Sequence, residues 1–151
     1  MVKQEILKGV TGSAMPGQAT FILGSSGAGK TSLLNLISDR VSRKNGQHFS
    51  GEVLMNDSKK LTQSVFGEIG AYVMQDDILY SYFTVHEAFL FAAKLKLDLT
   101  PNQVATKVRK LMNELGIWGI RTTLIGDSQR KYISGGERKR TAIGVEMITD
   151  P

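Results

Sequence analysis

The sequence predicts an α/β fold, rich in strands over its first half and helical over its second, and three observations predict it. A short apolar run, Gln18 to Leu23, is bounded by Pro16-Gly17 and by Gly24, as a buried strand is. A glycine-rich segment follows, after which Leu33, Leu36 and Ile37 recur at i, i+3 and i+4 on one helical face. Beyond Thr84, three helix starts each carry capping residues.

The bulk properties fit one domain. A chain of 151 residues is long enough to bury a core, and 41% hydrophobic with 22% charged residues is ordinary for a soluble globular protein. No apolar run approaches the roughly 18 residues that suggest a membrane span. Met1 to Val10 has no signal-peptide core, so nothing in it points to secretion. The absence of cysteine excludes disulfides and thiolate metal sites and suits a reducing compartment. The net charge of +5 raises the question of a polyanionic partner. Its densest cluster is Arg130, Lys131, Arg138, Lys139 and Arg140, without accompanying aromatic stacking residues. It reads as a solvated helix face, and no nucleic-acid partner is expected. No internal repeat, low-complexity tract or linker divides the chain.

The elements follow in order. Gln18–Leu23 is the first strand, packed against the helix that carries Leu33, Leu36 and Ile37. Gly51 to Met55 and Gly70 to Met74 read as further strands, and the polar stretch between them, Asn56 to Gly67, as turns. Thr84-Val85-His86-Glu87 is a capping box, with Val85, Ala88, Phe89 and Ala92 as one apolar stripe. Thr100-Pro101-Asn102-Gln103 supplies a cap, a proline at the first helical position and a glutamine to reach back. Val104, Val108, Leu111, Met112 and Leu115 then form a helical face that Gly116 closes. Ser134-Gly135-Gly136-Glu137 opens the last helix.

Two glycine motifs carry chemistry. Gly24-Ser25-Ser26-Gly27-Ala28-Gly29-Lys30-Thr31 matches G-x-x-x-x-G-K-[ST] without a gap, with a predicted strand before it and an amphipathic helix after it. The glycines let the backbone turn its N–H groups onto phosphate oxygens, and the helix that follows aims its positive end at the same anion. Lys30 can reach the β- and γ-phosphates and the Thr31 hydroxyl can ligate Mg²⁺. Ser32 is placed to bond a phosphate nearer the nucleoside. A phosphate loop alone does not choose among kinases, GTPases, helicases and transporters.

The second motif is Ile133-Ser134-Gly135-Gly136-Glu137-Arg138. Locally it is a helix start with Ser134 as cap and Glu137 reaching back. A helix needing only a cap has no use for two glycines, each roughly 1 kcal/mol worse than alanine. Their presence points to a close approach from outside, and an anion is the natural candidate at a helix N-terminus.

The phosphate loop, then Gln75 at the end of Tyr72-Val73-Met74-Gln75, then Ser134-Gly135-Gly136-Glu137, resembles the ATP-binding-cassette ATPases in order and spacing. The stretches Ile6–Gly12, Leu23–Leu36, Tyr72–Asp77 and Ile133–Pro151 are similar in wording to the G subfamily, the White-type half-transporters. The resemblance implies a P-loop NTPase cassette of mixed sheet core plus helical subdomain. Its nucleotide core would span 1–83, its helical subdomain 84–132 and its signature motif and helix 133–151. Gly24, Ser25, Ser26, Gly27, Ala28, Gly29, Lys30, Thr31 and Ser32 would wrap the triphosphate of ATP. Thr31 and Gln75 would serve Mg²⁺, Gln75 touching either the ion or the attacking water, and Lys30 and Gln75 would be the catalytic pair. Ser134, Gly135, Gly136 and Glu137 would meet ATP held by a second cassette in a head-to-tail dimer. A transmembrane domain in the same complete chain, a cytoplasmic-face location and export of a lipidic or hydrophobic cargo are further implications. The alternatives are a soluble cassette ATPase of DNA repair or translation and a non-hydrolysing, ATP-dependent interaction module.

The chain departs from that pattern at both ends. Family members follow the signature helix with a strand ending in Asp and Glu, and later a switch histidine. This sequence ends at Thr149-Asp150-Pro151, and its histidines, His48 and His86, match neither position. No aromatic residue precedes Phe21 to stack on adenine. The expectation is a partial cassette that hydrolyses ATP poorly by itself, with helix faces uncovered and sheet edges unpaired.

Overall fold

A computed structural model describes residues 5–41, 48–127 and 129–151. The chain divides into two compact units, residues 1–68 and 69–151.

The first unit is built around helix α1, Lys30–Ile37. Gly29 precedes it in the left-handed region at φ 91°, where a side chain would be strained. Ser38 stands at its C-cap, and its hydroxyl donates to the Leu34 carbonyl at 2.9 Å. Strands β1, Leu54–Met55, and β2, Lys59–Lys60, pair antiparallel in the register Leu54↔Lys60 and Met55↔Lys59. Asn56 and Asp57 turn the hairpin at φ 51° and 54°, a conformation these two residue types tolerate better than most. Helix α2, Gln63–Ile69, follows. The Thr62 carbonyl accepts from Phe66 N at 2.8 Å, and the Asp39 carboxylate accepts from Gln63 N at 3.0 Å.

Three expectations change here. Gln18–Leu23 forms no strand, and Phe21 and Leu23 stand 79% and 89% exposed rather than buried. Gly70–Met74 forms none either, and of Gly51–Met55 only the last two residues pair. The reason is physical: a strand exists through ladder bonds to a neighbour. Among the described residues, the expected mixed sheet is one two-stranded pair. Asn56–Gly67, read as turns, holds β2 and most of α2 instead.

The second unit follows the sequence closely. Helix α3 spans Val85–Lys96, α4 Pro101–Glu114 and α5 Gly135–Met147, with a 3₁₀ turn at Trp118–Ile120. The predicted stripes are the core: Val85, Ala88, Phe89 and Ala92 of α3 bury together with Val104, Val108, Leu111 and Met112 of α4. Each fully buried large side chain of this kind contributes about 1.5–3 kcal/mol of transfer free energy. Gly116, at φ 65°, ends α4 as expected. Its N–H donates to Asn113 O at 3.0 Å while Ile117 N donates to Met112 O at 2.9 Å, the paired bonds of a Schellman stop. Backbone bonds from Val85 N to Thr123 O and from Ile125 N to Phe83 O, at 3.0 and 2.9 Å, hold the start of α3 against residues 123–125. No helix among the described residues is long and apolar enough to cross a membrane.

Candidate functional site

The phosphate loop lies in the first unit. Ala28 N donates to Ser25 O at 3.2 Å, closing a turn. Gly27 and Gly29 take φ values of 80° and 91° that side chains resist. A Cβ on Gly29 would also stand 3.1 Å from Leu7 Cδ2, a tight contact that the leucine side chain would have to ease, so it is the backbone conformation that requires glycine there. Nothing lies within 4 Å of a Cβ built on Gly27, so its glycine serves conformation and open approach.

Lys30 opens α1 and folds back over the loop. Its ammonium donates to Gly24 O at 2.9 Å and to Ser25 O at 2.6 Å. No side chain caps α1 and no acid stands in its first turn. The helix thus supplies no acid of its own to its leading N–H groups and positive end. Gly24, Ser25, Ser26, Gly27, Ala28 and Thr31 are exposed, with Gly29, Lys30 and Ser32 half-buried. These residues fit a triphosphate with Mg²⁺: glycine-rich backbone leading into a helix start, a cation at Lys30 and a hydroxyl at Thr31, with no acid in the helix's first turn. No cluster of three or more acids, histidines or cysteines that could hold a metal occurs among the described residues.

Gln75 and the second motif lie in the other unit. Ser134 caps α5 in a complete box: Glu137 N donates to Ser134 Oγ at 3.3 Å, and Ser134 N donates to Glu137 Oε2 at 2.7 Å. Hydrogen bonds from the Ser134 hydroxyl and then its backbone N–H hold the Glu137 carboxyl below the usual carboxylate range. Gly135 and Gly136 are exposed. A Cβ on Gly135 would meet nothing within 4 Å, and one on Gly136 only the mobile end of Arg140 at 3.3 Å. Neither glycine has a positive φ. The chain's own packing and backbone thus give no reason for the pair, and they leave an open stretch of backbone at a helix N-terminus.

Lys139, one turn further along α5, donates to Met74 O at 2.8 Å, to Gln75 O at 3.2 Å and to Asp77 Oδ1 at 3.0 Å. Arg138 donates to Gly126 O at 2.8 Å and reaches Asp77 O at 3.5 Å. The segment bearing Gln75 is thereby tied to the helix bearing Ser134. For these two cations the reading of the basic cluster as a solvated face is corrected, while Arg130, Lys131 and Arg140 are exposed as expected. Arg138 and Lys139 are half-buried and bonded, because backbone carbonyls and a carboxylate converge beside them. The acidic pair Asp76-Asp77 directly after Gln75 was the signal in the sequence that a cation belongs there.

The family model described as ABC transporter matches residues 7–151. Among curated proteins, the chain is 40% identical over 148 residues to ABC transporter G family member 5 of Arabidopsis thaliana, covering 98% of this chain and 22% of that protein. It is 40% identical over 152 residues to G family member 22 of the same plant, covering 99% of this chain and 20% of that one. It is 38% identical over 148 residues to ABC transporter G family member STR of Medicago truncatula, covering 97% and 18%. The chain spans about a fifth of the length of these relatives. With the phosphate loop, Gln75 and the glycine-led helix all inside the matched region, the chain belongs to the ABC transporter family, within the ATP-binding domain of its G subfamily.

Proposed function

We propose that the complete protein binds ATP-Mg²⁺ through this chain and hydrolyses it to drive transport across a membrane. The observation that carries the reading is the loop of the first unit, with left-handed Gly27 and Gly29, an uncapped α1 and a lysine folded over its carbonyls. In this reading Gly24 to Ser32 wrap the phosphates and Lys30 leaves Gly24 O and Ser25 O for the β- and γ-oxygens. Thr31 presents its hydroxyl to Mg²⁺, which when bound neutralises charge on those oxygens. Gln75 faces the ion or the attacking water. Hydrolysis is assigned to the complete protein.

Ser134, Gly135 and Gly136 meet the γ-phosphate of ATP on a second cassette, packed head to tail, while Glu137 keeps the helix start in shape. The open backbone at Gly135 supports this role, since a partner's phosphate could approach it without a clash. ATP then forms part of the interface, and its cleavage removes a contact that holds the dimer shut. A division into a nucleotide core over 1–83, a helical part over 84–132 and the signature helix over 133–151 belongs to the same reading. So do a transmembrane domain in the same complete chain and a place at the cytoplasmic face of a membrane.

The test is Ser134→Phe in the complete protein. ATP binding to the single subunit should persist, and ATP-driven association of two cassettes, followed by cross-linking, should be lost. Equal loss of single-subunit ATP binding would refute the assignment of this motif to the partner's nucleotide.

A further inference from the structure

The side chain of Lys139 has three partners, all on the segment that carries Gln75: Met74 O at 2.8 Å, Gln75 O at 3.2 Å and Asp77 Oδ1 at 3.0 Å. Asp77, whose side chain is 15% exposed, is the more buried member of the ion pair. Arg138 adds a bond to Gly126 O at 2.8 Å and approaches Asp77 O. Two consecutive side chains of α5 therefore bond to the Asp77 segment. Lys139 stands five residues beyond Ser134, about 7.5 Å along the helix axis. A rigid helix turn is all that separates the grip on Gln75 from the glycine-led N-terminus.

We propose that Lys139 is a positioning residue that fixes Gln75 to the signature helix, so that the Gln75 segment and Ser134-Gly135-Gly136 move as one body. The proposal rests on the reading that these groups act on ATP, and adds a specific linkage between them. Two of the three bonds go to backbone carbonyls, so Lys139 sets where the Gln75 main chain lies while leaving its side-chain amide uncommitted. Removing the ammonium frees Gln75 to drift without touching the nucleotide itself. A misplacement of about 1 Å of a group near the reacting atoms is enough to slow chemistry by up to about 100-fold. The linkage also ties a group serving this cassette's own nucleotide to a motif serving the partner's.

The experiment measures steady-state ATP hydrolysis by the complete protein carrying Lys139→Met, Gln75→Ala or both. Lys139→Met should lower kcat about tenfold while KM for ATP stays within about twofold. Lys139→Arg, which keeps charge and donors, should restore most of the rate. The double variant should be no slower than Gln75→Ala alone, because Lys139 acts through Gln75. If Gln75→Ala slows hydrolysis and Lys139→Met does not, the positioning role is wrong and the reading of Gln75 stands. Rate losses that multiply in the double variant would also overturn it. If Gln75→Ala has no effect, the reading of Gln75 fails and this inference goes with it. Should Lys139→Met unfold the protein, Asp77→Asn carries the test: it preserves side-chain size, loosens the same grip and should lower kcat with KM held. An unchanged kcat for a folded Asp77→Asn protein would then reject the proposal.

Discussion

Gly144 of α5 lies against the ring of Phe89 of α3 so closely that an added Cβ would stand 2.6 Å from Phe89 Cε1, and as near to Leu115 Cδ1. Phe89 is fully buried, in an interior packed closely enough that displacing the ring is costly. This contact sets how close the signature helix comes to α3. Gly144→Ala should destabilise the fold by about 1–3 kcal/mol through overpacking, despite alanine's better helix propensity. Thermal unfolding of the complete protein followed by circular dichroism checks it. A stabilised Gly144→Ala protein would mean that the helices are not held at this distance.

Acid should loosen the start of α5. The Glu137 carboxyl is held below its usual range by the hydrogen bonds from Ser134. A depressed folded pKa means that the stabilisation is fully present above the unfolded carboxylate value and is lost as pH falls through the folded one. The carboxyl resonance of Glu137, followed by NMR, should therefore titrate below that of an ordinary glutamate. Ser134→Ala should return it towards the ordinary value. A Glu137 that titrates normally would contradict the capping box.

The Thr31 hydroxyl is assigned to Mg²⁺, which makes metal dependence its signature. Chelating Mg²⁺ should weaken ATP binding to the native protein. Thr31→Ala should weaken binding in the presence of Mg²⁺ and show a smaller further loss on chelation. A Thr31→Ala protein with undiminished Mg²⁺ dependence would remove Thr31 from the ion's neighbourhood.

What was legible in the sequence was what local chemistry decides. Thr84 with Glu87, Thr100 with Gln103 and Ser134 with Glu137 place three helix starts to the residue, and Gly116 places one stop. The apolar positions of α3 and α4 recur with the helical period, so their buried faces could be read directly. Strands depend on a partner distant in sequence, and the apolar character of Phe21 and Leu23 says that they favour cover without saying what covers them. Helix α2 was missed because Ser64 and Gly67 make its segment look like a turn. Thr62 as a cap and Val65 with Ile69 at i, i+4 were the available signs.

The candidate site divides the same way. The phosphate loop is a local motif, and the conformations of Gly27 and Gly29 and the fold-back of Lys30 follow from its residue order. The grip of Lys139 on Met74, Gln75 and Asp77 joins residues more than sixty positions apart. No periodicity carries that, and only the acidic pair after Gln75 hints that a cation answers it. Gly144 is similar: an isolated helical glycine is unexplained until Phe89 is found opposite.

The central claim is that this chain holds the phosphates of ATP with Lys30 as the cation over them. Equilibrium binding of ATP to the complete protein, with and without Lys30→Met, tests it most directly. A charge-assisted hydrogen bond is worth about 1.5–3 kcal/mol, so affinity should fall roughly 10- to 100-fold in the variant, with the fold intact by circular dichroism. A folded Lys30→Met protein that binds ATP as tightly as the native one would contradict the account.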